Sequence, residues 1–167
     1  MRVSELVGLN LSDLRKKEKT LRLLGKGNKE RIIYVNEACL QAMEAYEPVR
    51  TKILSDRHRT NEPALFLSER GSRISARRVE QILEKYLAAA GLSGRGYSPH
   101  KLRHTAATLM YQYGGADVRV LKKILGHENL STTEIYTHVS SQQIERAIDS
   151  SPLAKVKAPK SQEGSKE

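Results

Sequence analysis

The sequence predicts a mainly helical chain with a small antiparallel β element, and three observations carry that expectation. Helix-start signals stand at Asn36, Ser75, Ser98-Pro99 and Asp117, each ahead of apolar residues at helical spacing. A single pair of β-rich runs, Leu21–Leu24 and Ile32–Val35, brackets the turn-forming dipeptide Gly27-Asn28. At 167 residues the chain has room for one domain of ordinary size and no internal repeat.

Taken in order, residues 1–8 read as one or two helical turns entered without a capping residue ahead of them. The hairpin follows, with Lys26 and Lys29 beside its tip. Asn36 caps a helix running towards Arg50, residues 51–63 read as a polar loop, and 64–67 as a short strand. Ser75 opens an amphipathic helix carrying Val79, Ile82, Leu83, Tyr86 and Leu87, which Gly91 ends. Ser98 with Pro99 at the first helical position opens a helix over about 99–113, stopped by Gly114-Gly115. A helix from Asp117 ends near Gly126. Ser131-Thr-Thr-Glu134 fits a capping box, which places Tyr136 on a short helix, and a further helix spans 141–149. Residues 153–167 read as a flexible tail.

Composition narrows the class. Lys and Arg number 29 against 19 acids, for a net charge of +10, and 38% hydrophobic residues support a core. No apolar run approaches the ~18 residues of a membrane span. The single cysteine, Cys39, excludes a disulfide framework and a Cys-rich metal site, and fits a reducing, cytoplasmic setting. The charge is grouped. Residues 1–31 hold nine Lys/Arg against four acids, and 91–127 hold six against one, whereas 128–152 are net acidic. Two basic blocks that meet in space make a polyanion-binding face; apart, they make a soluble surface.

The polar residues each admit two readings. In Ser98-Pro-His-Lys-Leu-Arg-His104, His100 lies at a helix start and Arg103 one turn on, an arrangement suited to an anion and a proton carrier. It also fits a plain surface pair. His100 and His104 have the i, i+4 spacing of a zinc motif, but Lys101 stands where that motif needs Glu, so no ligand set forms. Arg2 and Glu5 fit an ordinary helix-surface pair, Lys26 a solvated hairpin lysine, and Tyr136 a core aromatic. Residues 117–139 fit a helix-turn-helix reader, although its second helix offers Glu134 and no basic residue.

Their order in the chain separates these readings. Arg2-Val-Ser-Glu-Leu6, Gly25-Lys-Gly-Asn-Lys-Glu-Arg31, the Ser98–His104 segment, Gly115–Val120, Leu125-Gly-His127 and Leu130–Val139 together resemble the tyrosine recombinases, the phage-integrase family. They are most similar to Xer-type recombinases and integrases of mobile elements. The resemblance implies a mostly helical catalytic domain over 1–152 whose small antiparallel sheet contains the Lys26 hairpin. It also implies that the family's first catalytic helices and N-terminal DNA-clamping domain are missing from this chain. Tyr136 matches the nucleophile that forms a 3′-phosphotyrosyl link to DNA. Arg2, Arg103 and His127 match the donors on the phosphate oxygens, His100 the acid/base, Lys26 the general acid, and Glu5 a supporting acid. Lys29, Arg31, Lys101 and Arg119 are expected to bind DNA. The implied partners are double-stranded DNA and further protomers in a tetrameric synapse, with no metal or other cofactor and no membrane; the implied setting is the bacterial cytoplasm, at the nucleoid when bound. Two other functions fit the same residues: a DNA-binding module without chemistry, and a metal-free phosphodiesterase. A covalent tyrosine–DNA adduct separates the first reading from both.

Overall fold

The computed structural model of the chain describes residues 1–25, 27, 29–115, 117–125 and 141–156. The expected sites at Lys26, His127 and Tyr136, the capping box at 131–134 and the tail beyond 156 lie outside them. Six helices and one three-stranded antiparallel sheet are described: α1 (Val3–Gly8), β1 (Leu14–Arg15), β2 (Thr20–Leu24), β3 (Glu30–Tyr34), α2 (Glu37–Asp56), α3 (Ala76–Ala89), α4 (Pro99–Tyr113), α5 (Val118–Leu125) and α6 (Ser141–Asp149). Among the described residues no helix is long and apolar enough to cross a membrane.

The hairpin forms with Leu21 opposite Ile33 and Leu23 opposite Arg31. Alternation sends Leu21 and Leu23 into the core with no exposed surface, while Arg22 and Leu24 face out. Its connection differs from the expected two-residue turn. The strands stop at Leu24 and restart at Glu30, and the Gly25 N–H donates to the Lys29 carbonyl at 2.8 Å across the mouth of the loop. Gly27, at φ +73°, takes the left-handed conformation that glycine tolerates without a steric cost.

The predicted caps close as expected. Asn36 Oδ1 accepts from the Cys39 N–H, Ser75 Oγ from that of Arg78, and Ser98 Oγ from that of Lys101. Helix α2 continues past Arg50 to Asp56, where the sequence reads as loop. Its last turns are polar because they face solvent, yet Ile53 and Leu54 are half-buried. The buried Arg50 guanidinium donates to the carbonyls of Glu62 and Ala64, fastening the helix to the returning chain. Ala64, Leu65 and Leu67 are buried and Phe66 half-buried, but they join no sheet; Ala64 and Leu67 make isolated bridges to Asn10 and Arg73. The amphipathic α3 has no fully buried residue, and Tyr86 remains 69% exposed.

Two cores result. Leu9, Leu21, Leu23, Val35, Leu40 and Leu65 form the first, under the sheet. Val120, Ile124 and Ala147 form the second, with Met110, Leu121, Ile144 and Ile148 packed around them. The second core holds α6 against α4 and α5 of its own chain. The chain after α6 closes with a 3-10 turn, Pro152–Lys155, capped by Ser151 and lying on α2 and α4, so ordered structure extends three residues into the stretch read as tail.

Gly114 sits where α4 meets α6. A Cβ there would lie 2.5 Å from the Ala147 carbonyl oxygen and 2.6 Å from that of Met110. Its φ of −90° suits any residue, so the constraint is space alone. Gly114→Ala is therefore expected to push α6 outward and cost about 1–3 kcal/mol. Hydrogen exchange should show lost protection at Ile144–Ile148 with β2 unchanged; full protection of α6 in the variant would contradict this packing.

Candidate functional site

The site is built from the start of α1, the inward face of β3 and the middle of α4. Arg2 is the residue that precedes α1, and Glu5 is the third of the helix. The Arg2 backbone N–H donates to Glu5 Oε2 at 2.6 Å, which gives the helix the cap that the sequence seemed to lack, and Arg2 Nη1 donates to Oε1 at 3.2 Å. Opposite them, the strand register turns Arg31 to the same face as Ile33. Arg31 Nη1 donates to Glu5 Oε1 at 2.7 Å and Nη2 to Oε2 at 2.9 Å, the two-pronged geometry that suits a guanidinium and a carboxylate. Each oxygen of Glu5 thus takes one hydrogen bond from each arginine.

The Glu5 side chain is only 4% exposed. Burial pushes its carboxyl upward, but the Arg31 fork, the Arg2 N–H and the surrounding positive charge outweigh that and hold it down at about 2. Arg103, from α4, completes the cluster. Burial is the main influence lowering its guanidinium, followed by repulsion from Arg2; an arginine still remains charged. Its Nη2 donates to the Leu125 carbonyl at 2.5 Å at the end of α5. Its Nη1 is buried without a hydrogen-bond partner among the described residues. Three guanidiniums therefore surround one carboxylate. The surplus positive charge, with two buried donors, Arg103 Nη1 and Arg31 Nε, that lack a partner among the described residues, is suited to an anion brought from outside.

His100 occupies the second position of α4, one turn before Arg103, and is exposed. Its ring meets that of His104 edge-on, with centroids 5.3 Å apart. Lys29 and Lys101 are exposed, and Arg119 lies on α5. Arg31, expected to bind DNA, is only 19% exposed and engages Glu5. Strand alternation with Ile33 is the signal in the sequence for that inward direction. Arg73 also escaped the sequence reading: it donates to the Val7 and Leu9 carbonyls and so fixes the end of α1. Among the described residues no cluster of three or more His, Cys, Asp or Glu could hold a metal ion. A cleft of about 430 Å³ beside Glu5 is lined by Asp13 and Glu30 as well, and by Arg22 as its one cation, so its net charge disfavours an anion there.

The model of the phage integrase family matches residues 1–143. The chain belongs to the phage integrase family. Tyrosine recombinase XerC of Caldanaerobacter subterraneus subsp. tengcongensis is 52% identical over 154 residues, covering 92% of this chain and 42% of that protein. XerC of Corynebacterium efficiens is 46% identical over 148 residues, covering 89% of this chain and 45% of that one. The chain thus spans about half the length of the curated relatives it matches. Among solved structures, the XerA recombinase superposes with a TM-score of 0.66 at 33% identity, over 86% of this chain and 50% of that one. The XerH recombinase bound to palindromic difH substrate, in a post-cleavage complex, gives 0.60 at 29% identity, over 89% and 41%. The mainly helical fold with its small sheet is therefore that of the Xer members of this family.

The charge on Glu5 links the site to pH. Its folded-state value lies below the ordinary 4.5, so its contribution to stability is full above about pH 4.5 and is lost as pH falls through about 2. The amount is about 3 kcal/mol. Urea unfolding between pH 4.5 and 2 should show stability falling more steeply with acid in the wild type than in Glu5→Gln. Parallel curves would contradict an ionised, doubly held Glu5.

Proposed function

We propose that this chain is the DNA-breaking and rejoining portion of a bacterial site-specific tyrosine recombinase. The observation that carries the reading is the Nη1 of Arg103, buried without a hydrogen-bond partner among the described residues, in a cluster with more guanidiniums than carboxylates. A phosphodiester supplies the missing anion, and negative charge grows on its non-bridging oxygens as a nucleophile attacks, where preset donors act most strongly.

Tyr136 is assigned the attack. Its oxygen forms a bond to phosphorus as the bond to the 5′ oxygen breaks, leaving a 3′-phosphotyrosyl ester and a 5′-hydroxyl. A phenol with a pKa of ~10 is about one part in a thousand ionised at pH 7, so the step requires a base, assigned to His100. Lys26 donates the proton taken up by the departing 5′ oxygen, and His127 joins Arg2 and Arg103 on the phosphate. The reverse attack by a 5′-hydroxyl rejoins a strand, the ester having conserved the bond energy. The sequence match to XerC relatives and the fold shared with a XerH–difH complex support double-stranded DNA as the substrate. Further protomers in a synapse of four and a bacterial cytoplasmic setting belong to the same proposal.

On a nicked suicide duplex carrying the cognate site, Tyr136 should become linked to a 3′ phosphate, and Tyr136→Phe should abolish the adduct while DNA binding persists. Lys26→Ala should slow cleavage about 10²- to 10⁴-fold, and a substrate with sulfur at the 5′ bridging position should restore it, because a thiolate leaves without a proton. An adduct that maps to Tyr111 or Tyr113, or survives in Tyr136→Phe, would overturn the assignment. Binding without any adduct would favour a DNA-binding module.

A further inference from the structure

We propose that Arg31 is a positioning residue for the phosphate-binding arginines: it clamps Glu5, and Glu5 in turn sets the backbone and side chain of Arg2 beside Arg103. This rests on the reading of the arginine cluster as the scissile-phosphate site.

Four observations carry it. The strand register places Arg31 on the buried face, opposite Leu23. Its fork reaches both oxygens of Glu5, at 2.7 and 2.9 Å, leaving no terminal nitrogen uncommitted, and its Nε is buried without a hydrogen-bond partner among the described residues. Glu5 then uses the same two oxygens on Arg2, one on its guanidinium and one on its backbone. Finally, three positive groups crowd one another here. Arg103 feels repulsion from Arg2 and Arg31 and attraction to Glu5, so the position of Glu5 governs how closely the cations can gather.

The geometry also separates Arg31 from a DNA contact. A lysine at 31 would keep the charge that a phosphate contact requires but could not span both oxygens of Glu5. Arg31→Lys thus removes the fork while keeping the charge.

The test compares wild type, Arg31→Lys and Glu5→Gln on the nicked duplex, in single turnover, alongside DNA affinity at several salt concentrations. Misplacing Arg2 should slow cleavage by on the order of 10²-fold in Arg31→Lys, with affinity and salt slope close to wild type. Were Arg31 a phosphate contact instead, the lysine would keep it, and cleavage rate, affinity and salt slope would all stay close to wild type. The decisive substrate carries a methyl group in place of one non-bridging oxygen of the scissile phosphate. That phosphate is neutral, so the arginine pair matters less, and the deficits of both variants should shrink to a few-fold. General loss of structure would leave the deficit unchanged on both substrates. Carboxyl-carbon NMR provides a readout independent of activity: the Glu5 titration should move up from about 2 towards 4.5 in Arg31→Lys. Wild-type rates in Arg31→Lys, an equal deficit on the neutral phosphate, or an unmoved Glu5 titration would each overturn the role of Arg31. A wild type that forms no adduct, while Glu5 titrates as expected, would overturn the reading of the reaction and with it this role.

Discussion

A carboxylate sealed from water keeps its charge only where hydrogen bonds and positive charge replace the water it has lost. For Glu5, two arginines from elements far apart in the chain supply both. Arg2 comes from the first helix and Arg31 from the last strand of the sheet, and each oxygen of Glu5 is shared between them. Without that anion the start of α1 would lose its cap, and Arg2, Arg31 and Arg103 would repel one another unopposed. With it, the cluster keeps a positive surplus around a carboxylate that is itself only 4% exposed. The same contact therefore stabilises the fold and prepares the site.

The rest of the architecture converges on this cluster. The sheet register carries Arg31 inward because Leu21, Leu23 and Ile33 fill the core on that face. Arg73 ties off the far end of α1. Arg103 reaches from α4 to the end of α5, and the chain between α5 and α6 carries His127 and Tyr136. Both bracketing helices belong to the second core, in which Gly114 leaves just enough space for Ala147 to approach.

Local chemistry made much of this legible in advance. Side-chain caps at Asn36, Ser75 and Ser98 mark helix starts through hydrogen bonds made within three residues, so no tertiary information is needed to see them. The hairpin was legible through its glycine and its β-rich flanks. What failed depended on distant partners. Residues 51–56 look like loop because their polar side chains face solvent, and only Arg50 reaching residues 62–64 shows why the helix continues. Residues 64–67 have strand-like composition, yet they are buried or half-buried by neighbours without joining a sheet. Arg31 looks like one more surface cation in a basic stretch, and its partner Glu5 lies 26 positions away. Arg2, Glu5 and Arg103 were singled out by family resemblance, but no pattern in the sequence alone brings them together.

Charge imbalance around Glu5 is proposed to create a seat for one tetrahedral anion at Arg2 and Arg103. Crystals soaked in tungstate test this directly, because the anion resembles a phosphate and its anomalous scattering identifies it without ambiguity. A strong peak is expected within hydrogen-bond distance of Arg103 Nη1, weakened in Arg31→Lys. Tungstate bound elsewhere on the basic surface, with this position empty, would contradict it.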